Sequence, residues 1–287
     1  MKTKITLVKK LLLTAIVSCT FLGLTMAQAP TGEIMKTDQA PAIDGNAGDP
    51  MWENATAYSL DSVAKGEPSN TTATWKALWD DEYIYILVEV EDDIISYPDA
   101  DSPWNNDCVE VFFDIANTDT SNSDETYQYD LDPGDWQFRY NLFDEAIQVG
   151  RGEDGVATDS KEGAHTETGT NWVVELKFKW SELGTSVADW SAAEGAELGF
   201  EVAVIDNDGE HEGNLSWYAN ANNAHKNPMY FGDAKLVTES GSGDDDDDDG
   251  DGDDNGDQLI GEIMKTDQAP AIDGNAGDPM WENATAY

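Results

Sequence analysis

The chain has 287 residues and carries 59 Asp and Glu against 15 Lys and Arg, a formal net charge of −44, with a mean hydropathy of −0.53. A surface this acidic repels phosphate backbones and anionic lipid, which sets aside nucleic acid and membrane surfaces as partners and leaves neutral ligands and divalent cations. Exported proteins of saline habitats also carry excess carboxylate for solubility, so most of these charges read as solvated surface.

Residues 1–29 read as an export signal peptide. Lys2, Lys4, Lys9 and Lys10 precede and flank an apolar run from Leu11 to Leu24, and small residues stand around Ala27 and Ala29. The run is too short and wrongly flanked to span a membrane, and no other segment approaches about 18 consecutive apolar residues. The expected location is secreted or cell-surface; the alternative is lipid anchoring through Cys19 within Ile16-Val17-Ser18-Cys19. Ordinary cleavage leaves Cys108 as the remaining cysteine, so no disulfide forms within the mature chain and stability has to come from a packed core. Cys108 itself reads as a small, semi-buried strand residue rather than a nucleophile.

Residues 30–240 contain 44 Asp and Glu against 10 Lys and Arg and are long enough for one β domain with a single core. Thr72 to Trp79 and Tyr83 to Val90 are rich in β-branched and aromatic residues, and Asp80-Asp81-Glu82 between them predicts a hairpin connection. Further strands are predicted at Val109 to Ile115, Gln137 to Leu142, Ala146 to Val149, Trp172 to Phe178, Leu198 to Val204 and Ala234 to Val237. Trp172, Val174, Leu176, Phe178 and Trp180 alternate with Val173, Glu175, Lys177 and Lys179, the period-2 pattern of a strand with one buried face. Trp180-Ser181-Glu182-Leu183 suits one short helical turn, and no long stretch has helical periodicity. The fold class is therefore all-β, an antiparallel β-sandwich.

From Gly241 to Asp257 the chain has ten Asp and no apolar residue, which predicts an extended, self-repelling linker over 241–260. The 27 residues from Gly32 to Tyr58 then recur unchanged at Gly261 to Tyr287. The repeat predicts one complete module at 30–240 and the truncated start of a second at 261–287.

The densest functional signal is Pro103-Trp104-Asn105-Asn106-Asp107-Cys108-Val109-Glu110-Val111-Phe112-Phe113-Asp114. Val109, Val111 and Phe113 alternate inward, so Glu110 shares the opposite face with Cys108 and Phe112. In the next strand Trp136, Phe138 and Tyr140 alternate with Gln137, Arg139 and Asn141, giving a second face of donors and acceptors. A sugar needs a flat aromatic surface against its C–H face and fixed polar groups around its hydroxyls. Trp104 can supply the first, and Glu110, Arg139 and an Asn the second. Each neutral hydrogen bond contributes only about 0.5–1.5 kcal/mol net, so such a site binds weakly unless Arg139 and Glu110 add charge-assisted bonds. A core position for Trp104 and a plain cross-strand ion pair for Glu110 and Arg139 are the structural alternatives.

Ala42-Ile43-Asp44-Gly45 with Asp49 and Trp52, the run from Ala73 to Tyr85, and the Pro-Trp-x-x-Asp-x-Val-Glu-x-Phe segment at 103–112 together resemble carbohydrate-binding module family 9. Gln137-Phe138-Arg139, Trp180-Ser181-Glu182-Leu183, Gly199-Phe200, Asn222-Asn223 and Pro228-Met229-Tyr230-Phe231-Gly232 extend the resemblance, in order, through residues 40–237. It implies a jelly-roll or DOMON-like β-sandwich, of the kind appended to secreted glycoside hydrolases, with structural calcium and a terminal sugar held between two Trp side chains. Carried over by position, Trp104 is one aromatic wall, and Glu110, Arg139 and Asn222 hydrogen-bond sugar hydroxyls. His225 falls where the second Trp belongs; its smaller ring implies weaker or altered specificity, with Trp217, Tyr218 or Tyr230 as candidate substitutes. Calcium ligands are left open, with Asp92-Asp93 and Asp99 to Asp107 as acidic turns able to offer oxygens.

Catalysis within this chain is not expected. Carboxylate pairs occur anywhere in so acidic a sequence, whereas a glycosidase needs two at a defined separation in a cleft. No G-x-S-x-G, P-loop or H-E-x-x-H motif is present, and His165, His211 and His225 lie apart in polar contexts. The expected function is a secreted, non-catalytic, monomeric module that binds sugar ends of plant or algal-type polysaccharide and targets a larger glycan-degrading protein. The alternatives are a portion of a glycoside hydrolase with its catalytic domain elsewhere, a haem-binding DOMON-like domain using Met229 with His225 or His211, and a structural surface protein.

Overall fold

Strands with an apolar face pack in two layers of one continuous sheet around a common core. The computed structural model describes residues 31–238, except 69, 100, 119–133, 153–159, 186, 210 and 221. Contacts divide the chain into residues 1–242 and 243–287, and every described residue lies in the first. The predicted signal peptide with Cys19, the linker 241–260, the second copy 261–287 and the side chain of His211 lie outside the described residues.

In chain order the strands are β1 (Thr31–Lys36), β2 (Tyr58–Ser59), β3 (Ser62–Gly66), β4 (Thr72–Trp79), β5 (Tyr83–Glu91), β6 (Cys108–Asp114), β7 (Asp135–Asn141), β8 (Ala146–Arg151), β9 (Lys161–Thr168), β10 (Asn171–Lys179), β11 (Glu197–Asn207), β12 (His211–Ser216) and β13 (Gly232–Val237). One helical turn, α1 (Trp180–Leu183), stands where the sequence predicts it. All the predicted runs are strands. No helix among the described residues is long and apolar enough to cross a membrane.

Hydrogen bonding runs in the order β8-β7-β6-β11-β13-β1-β4-β5-β10-β9, with β12 and β3 continuing outward from β11 and β2 pairing with β4. The pairings are antiparallel except at β1, which is parallel to both β13 and β4. Val109, Val111, Phe113, Phe138 and Val202 from one layer meet Trp75, Ile86, Val174, Leu176 and Phe178 from the other in a single buried core. Phe113 and Phe178 touch across the layers with ring centroids 5.5 Å apart, an edge-on arrangement that suits the ring quadrupoles.

The hairpin between β4 and β5 forms as expected, with the Asp80 carboxylate accepting from the amides of Glu82 and Tyr83 at 2.8 and 2.7 Å and from the Tyr85 hydroxyl at 2.7 Å. On β10 the structure departs from a single buried face. Glu175, expected among the outward residues, is fully buried. Its carboxylate accepts from the amides of Asp44, Gly45 and Asn46 at 3.0, 2.8 and 3.1 Å and from the Trp52 indole at 2.8 Å, which fastens the segment 43–52 over the outer face of this sheet. Gly45 is required there: its φ is 78°, and a Cβ would lie 2.4 Å from the backbone of His165.

Candidate functional site

The second sheet carries its functional groups on its outer face. Strand register places Ala203, Glu110, Arg139 and Gln148 side by side across β11, β6, β7 and β8. Two residues away along the strands, Lys65, Asn214, Ile205 and Cys108 form the next row across β3, β12, β11 and β6. Side chains alternate along a strand, so both rows point away from the core formed by Val109, Val111 and Phe138. Cys108 is fully buried, more so than its semi-buried expectation, because loop residues cover it.

Two loops close over this face. Ala219, Ala224 and Phe231 pack on Cys108, Phe112, Ala203 and Ile205, a small apolar cluster that seats the segment carrying Asn222 and His225. The buried carboxylate of Glu201 accepts from the amides of Trp217, Tyr218 and Ala219 at 2.7, 3.0 and 2.8 Å and so fixes where that segment begins. The other loop carries the short 3-10 turn Pro103–Asn105. Asp107 holds it in place, accepting from Ser96 at 2.5 Å and from the Asn207 amide at 2.7 Å, while Asn106 donates to the Asp99 carbonyl at 2.7 Å. The Asn207 side chain donates to the Asn105 carbonyl.

Trp104 is therefore 51% exposed on an anchored loop, and its exposure rules out the core alternative. Its ring lies 5.9 Å from the guanidinium carbon of Arg139. Glu110 and Arg139 are paired directly across β6 and β7, with Nε and Nη2 of Arg139 donating to one carboxylate oxygen at 2.8 and 2.5 Å. Burial alone would lower the Arg139 pKa; the Glu110 carboxylate overrides it and holds the pKa above its ordinary value, so the guanidinium stays charged. His225 is half-buried, and burial lowers its pKa. Glu110 acts the other way, and Lys226, Arg151 and Lys65 add to the lowering.

Trp104, Glu110, Arg139, Asn222 and His225 all line one cavity of about 680 Å³, and Lys65, Gln148, Arg151 and Asn214 line it with them. The volume suits one or two sugar rings. Trp217, Tyr218 and Tyr230, the candidate substitutes for a second Trp, do not line this cavity. Trp217 is 9% exposed and belongs to the main core, packed edge-on against Trp75 at 5.0 Å. Lys65 and Arg151 were not singled out in the sequence, although the chain has only two arginines, and that scarcity was a usable signal.

A second cluster lies behind the Trp104 loop. Carboxylate oxygens of Asp92, Asp206 and Asp208 lie within 4.8 Å of one another. Burial, then the neighbouring Asp208 and Asp93, raise the Asp92 pKa. Asp107 is pushed up to about 8 by burial, with Asp92 and Asp206 contributing. Crowded carboxylates of this kind are a donor set that fits a hard divalent cation. Asp99, in contrast, caps its own loop, accepting from the amides of Asp101 and Ser102 at 3.0 Å.

The family described as carbohydrate family 9 binding domain-like matches residues 43–239. The chain belongs to this family. Endo-1,4-beta-xylanase A of Thermotoga neapolitana is 32% identical over 200 residues, and exoglucanase XynX of Acetivibrio thermocellus is 30% identical over 199 residues. Each match covers 69% of this chain but only 17% and 16% of the relative, so the similarity is confined to one module of a longer enzyme. Among solved structures, a carbohydrate binding module family 9 from Caldicellulosiruptor kristjanssonii in complex with cellotriose has a TM-score of 0.58 at 22% identity, covering 74% of this chain and 95% of that one. The same module in complex with glucose gives 0.58 at 23% identity. The matched region is a family 9 binding module and not a catalytic domain.

Proposed function

We propose that this family 9 module binds the terminal sugar of a polysaccharide in the cavity beneath Trp104, and that it directs a larger secreted glycan-degrading protein to its substrate. The observation that carries this reading is the convergence of an exposed indole, a buried Glu110–Arg139 pair, Asn222 and His225 on one cavity. Trp104 stacks on the C–H face of the sugar, Arg139 and Glu110 reach its hydroxyls with charge-assisted bonds, and Asn222 and His225 close the opposite side. The similarity to xylanase and exoglucanase modules, and to a module crystallised with cellotriose, supports a glycan ligand and export of the parent protein. Titration calorimetry of the full chain with cellotriose and xylotriose tests it. Measurable binding is expected, with Trp104→Ala weakening it at least about tenfold, a loss of ~1.4 kcal/mol, and His225→Trp strengthening it by restoring a second wall. Unchanged binding in Trp104→Ala would remove this site.

Calcium is the cation proposed for Asp92, Asp206 and Asp208. Held there, it would tie the end of β5 to the end of β11 and, through Asp107 and Asn207, steady the loop that carries Trp104. The crowding of buried carboxylates supports the assignment. Calcium should raise the melting temperature in wild type, chelation should reverse the gain, and Asp206→Asn should abolish it. A melting temperature indifferent to calcium would count against the site.

A further inference from the structure

The chain contains two arginines among 287 residues, Arg139 and Arg151, and both line the cavity beneath Trp104. Lys65 lines it as well, whereas Glu110 is the single carboxylate among the described lining residues. In a chain with 59 acidic and 15 basic side chains, this is an inverted local balance. Four lysines elsewhere lie against acids: Lys36 with Asp81, Lys177 with Glu162, Lys179 with Glu82 and Lys235 with Glu197.

The two arginines have different tasks. Arg139 is engaged by Glu110, which balances its charge. Arg151 stands opposite Gln137 at the end of β8, and Lys65 stands opposite Asn214 on β3, at the far side of the sheet. Both are close enough to His225 to oppose its protonation, so the cations converge on the same space from two directions. Hydrogen bonding to a neutral sugar does not require three cations around one cavity. A planar guanidinium matches the two oxygens of a carboxylate or sulfate, and a lysine adds a mobile point charge.

We propose that the sugar received in this cavity bears an anionic substituent, a carboxylate or a sulfate, taken by Arg151 and Lys65. This rests on the sugar-binding reading above and narrows it to acidic glycans. The net charge of the chain does not oppose it at contact distance, because charges further than about 8 Å away are largely screened at physiological ionic strength.

The test uses the full chain and three sugars of similar size, titrated at low and high salt: glucose, glucuronic acid and glucose 6-sulfate. At low salt the preferred anionic sugar should bind about tenfold more tightly than glucose, and the ratio should shrink as salt rises. Arg151→Gln should bring the ratio close to one, Arg151→Lys should keep part of it, and Lys161→Gln, a charge loss on β9 away from the cavity, should leave it intact. The order of glucuronic acid and glucose 6-sulfate tells which anion the site takes. Glucose binding as tightly as both anionic sugars would overturn the proposal while leaving sugar binding standing, as would a ratio that survives in Arg151→Gln. Failure of all three sugars, and of cellotriose, would remove the sugar-binding reading and this inference with it.

Discussion

Arg139 and Glu110 combine two costs that single substitutions expose differently from substitution of both. Each side chain is only 9% exposed, and the two charges satisfy one another within the sheet face. Arg139→Met therefore strands a buried carboxylate and should lower unfolding free energy by about 3–5 kcal/mol, whereas Arg139→Met with Glu110→Gln should recover much of that loss. Urea denaturation measures both. Trp104→Ala gives the contrasting residue-scale expectation: half-exposed and on a loop fixed by backbone bonds, Trp104 adds little to folding, and its loss should change the unfolding free energy by no more than about 0.5 kcal/mol. Glu110 and Arg139 were legible in the sequence because strand alternation assigned their faces, and Trp104 because its motif resembles that of the family. Arg151 and Lys65 were not, since their place at the site depends on the pairing order β3-β12-β11-β6-β7-β8, which no local pattern encodes.

At the scale of elements, two buried glutamates fasten loops to sheets. Glu175 secures segment 43–52 on one outer face, and Glu201 secures residues 217–219 on the other. Burial pushes the Glu201 pKa up to about 8, against the backbone amides that pull it down. A group raised from 4.5 in the unfolded chain to about 8 in the fold contributes stability that is complete below the lower value and is lost as pH rises through the upper one. Unfolding free energy should therefore decline between pH 5 and 8, by up to about 1.4 kcal/mol per pH unit from this group. Glu201→Gln should make the decline shallower, the remainder coming from Asp107, whose pKa is likewise pushed up to about 8, as read from urea midpoints at several pH values. The predicted strands were visible because β4, β5 and β10 alternate or run apolar. β9 and β12 were missed because Lys161 to Thr168 and His211 to Ser216 are mostly polar. The burial of Glu175 escaped for another reason, since its partners lie about 130 residues earlier in the chain.

The described domain as a whole is two layers joined through β1, whose parallel pairing on both sides departs from the antiparallel sandwich that the sequence suggests. Thr31 lies beside Asp233 and Met35 beside Val237, so the chain enters β1 where β13 begins and leaves β13 at the opposite end. Tension drawn through the two ends of this domain would drag β1 and β13 lengthwise past each other. The rungs from Thr31 to Met35 would then have to break together, while β4 grips the far end of β1 through Met35 and Lys36. Such a seam behaves as a clamp loaded in shear and not as a zipper peeled from one end. A pull applied between the two ends of this domain would therefore leave its shape intact until that seam gave way as a whole.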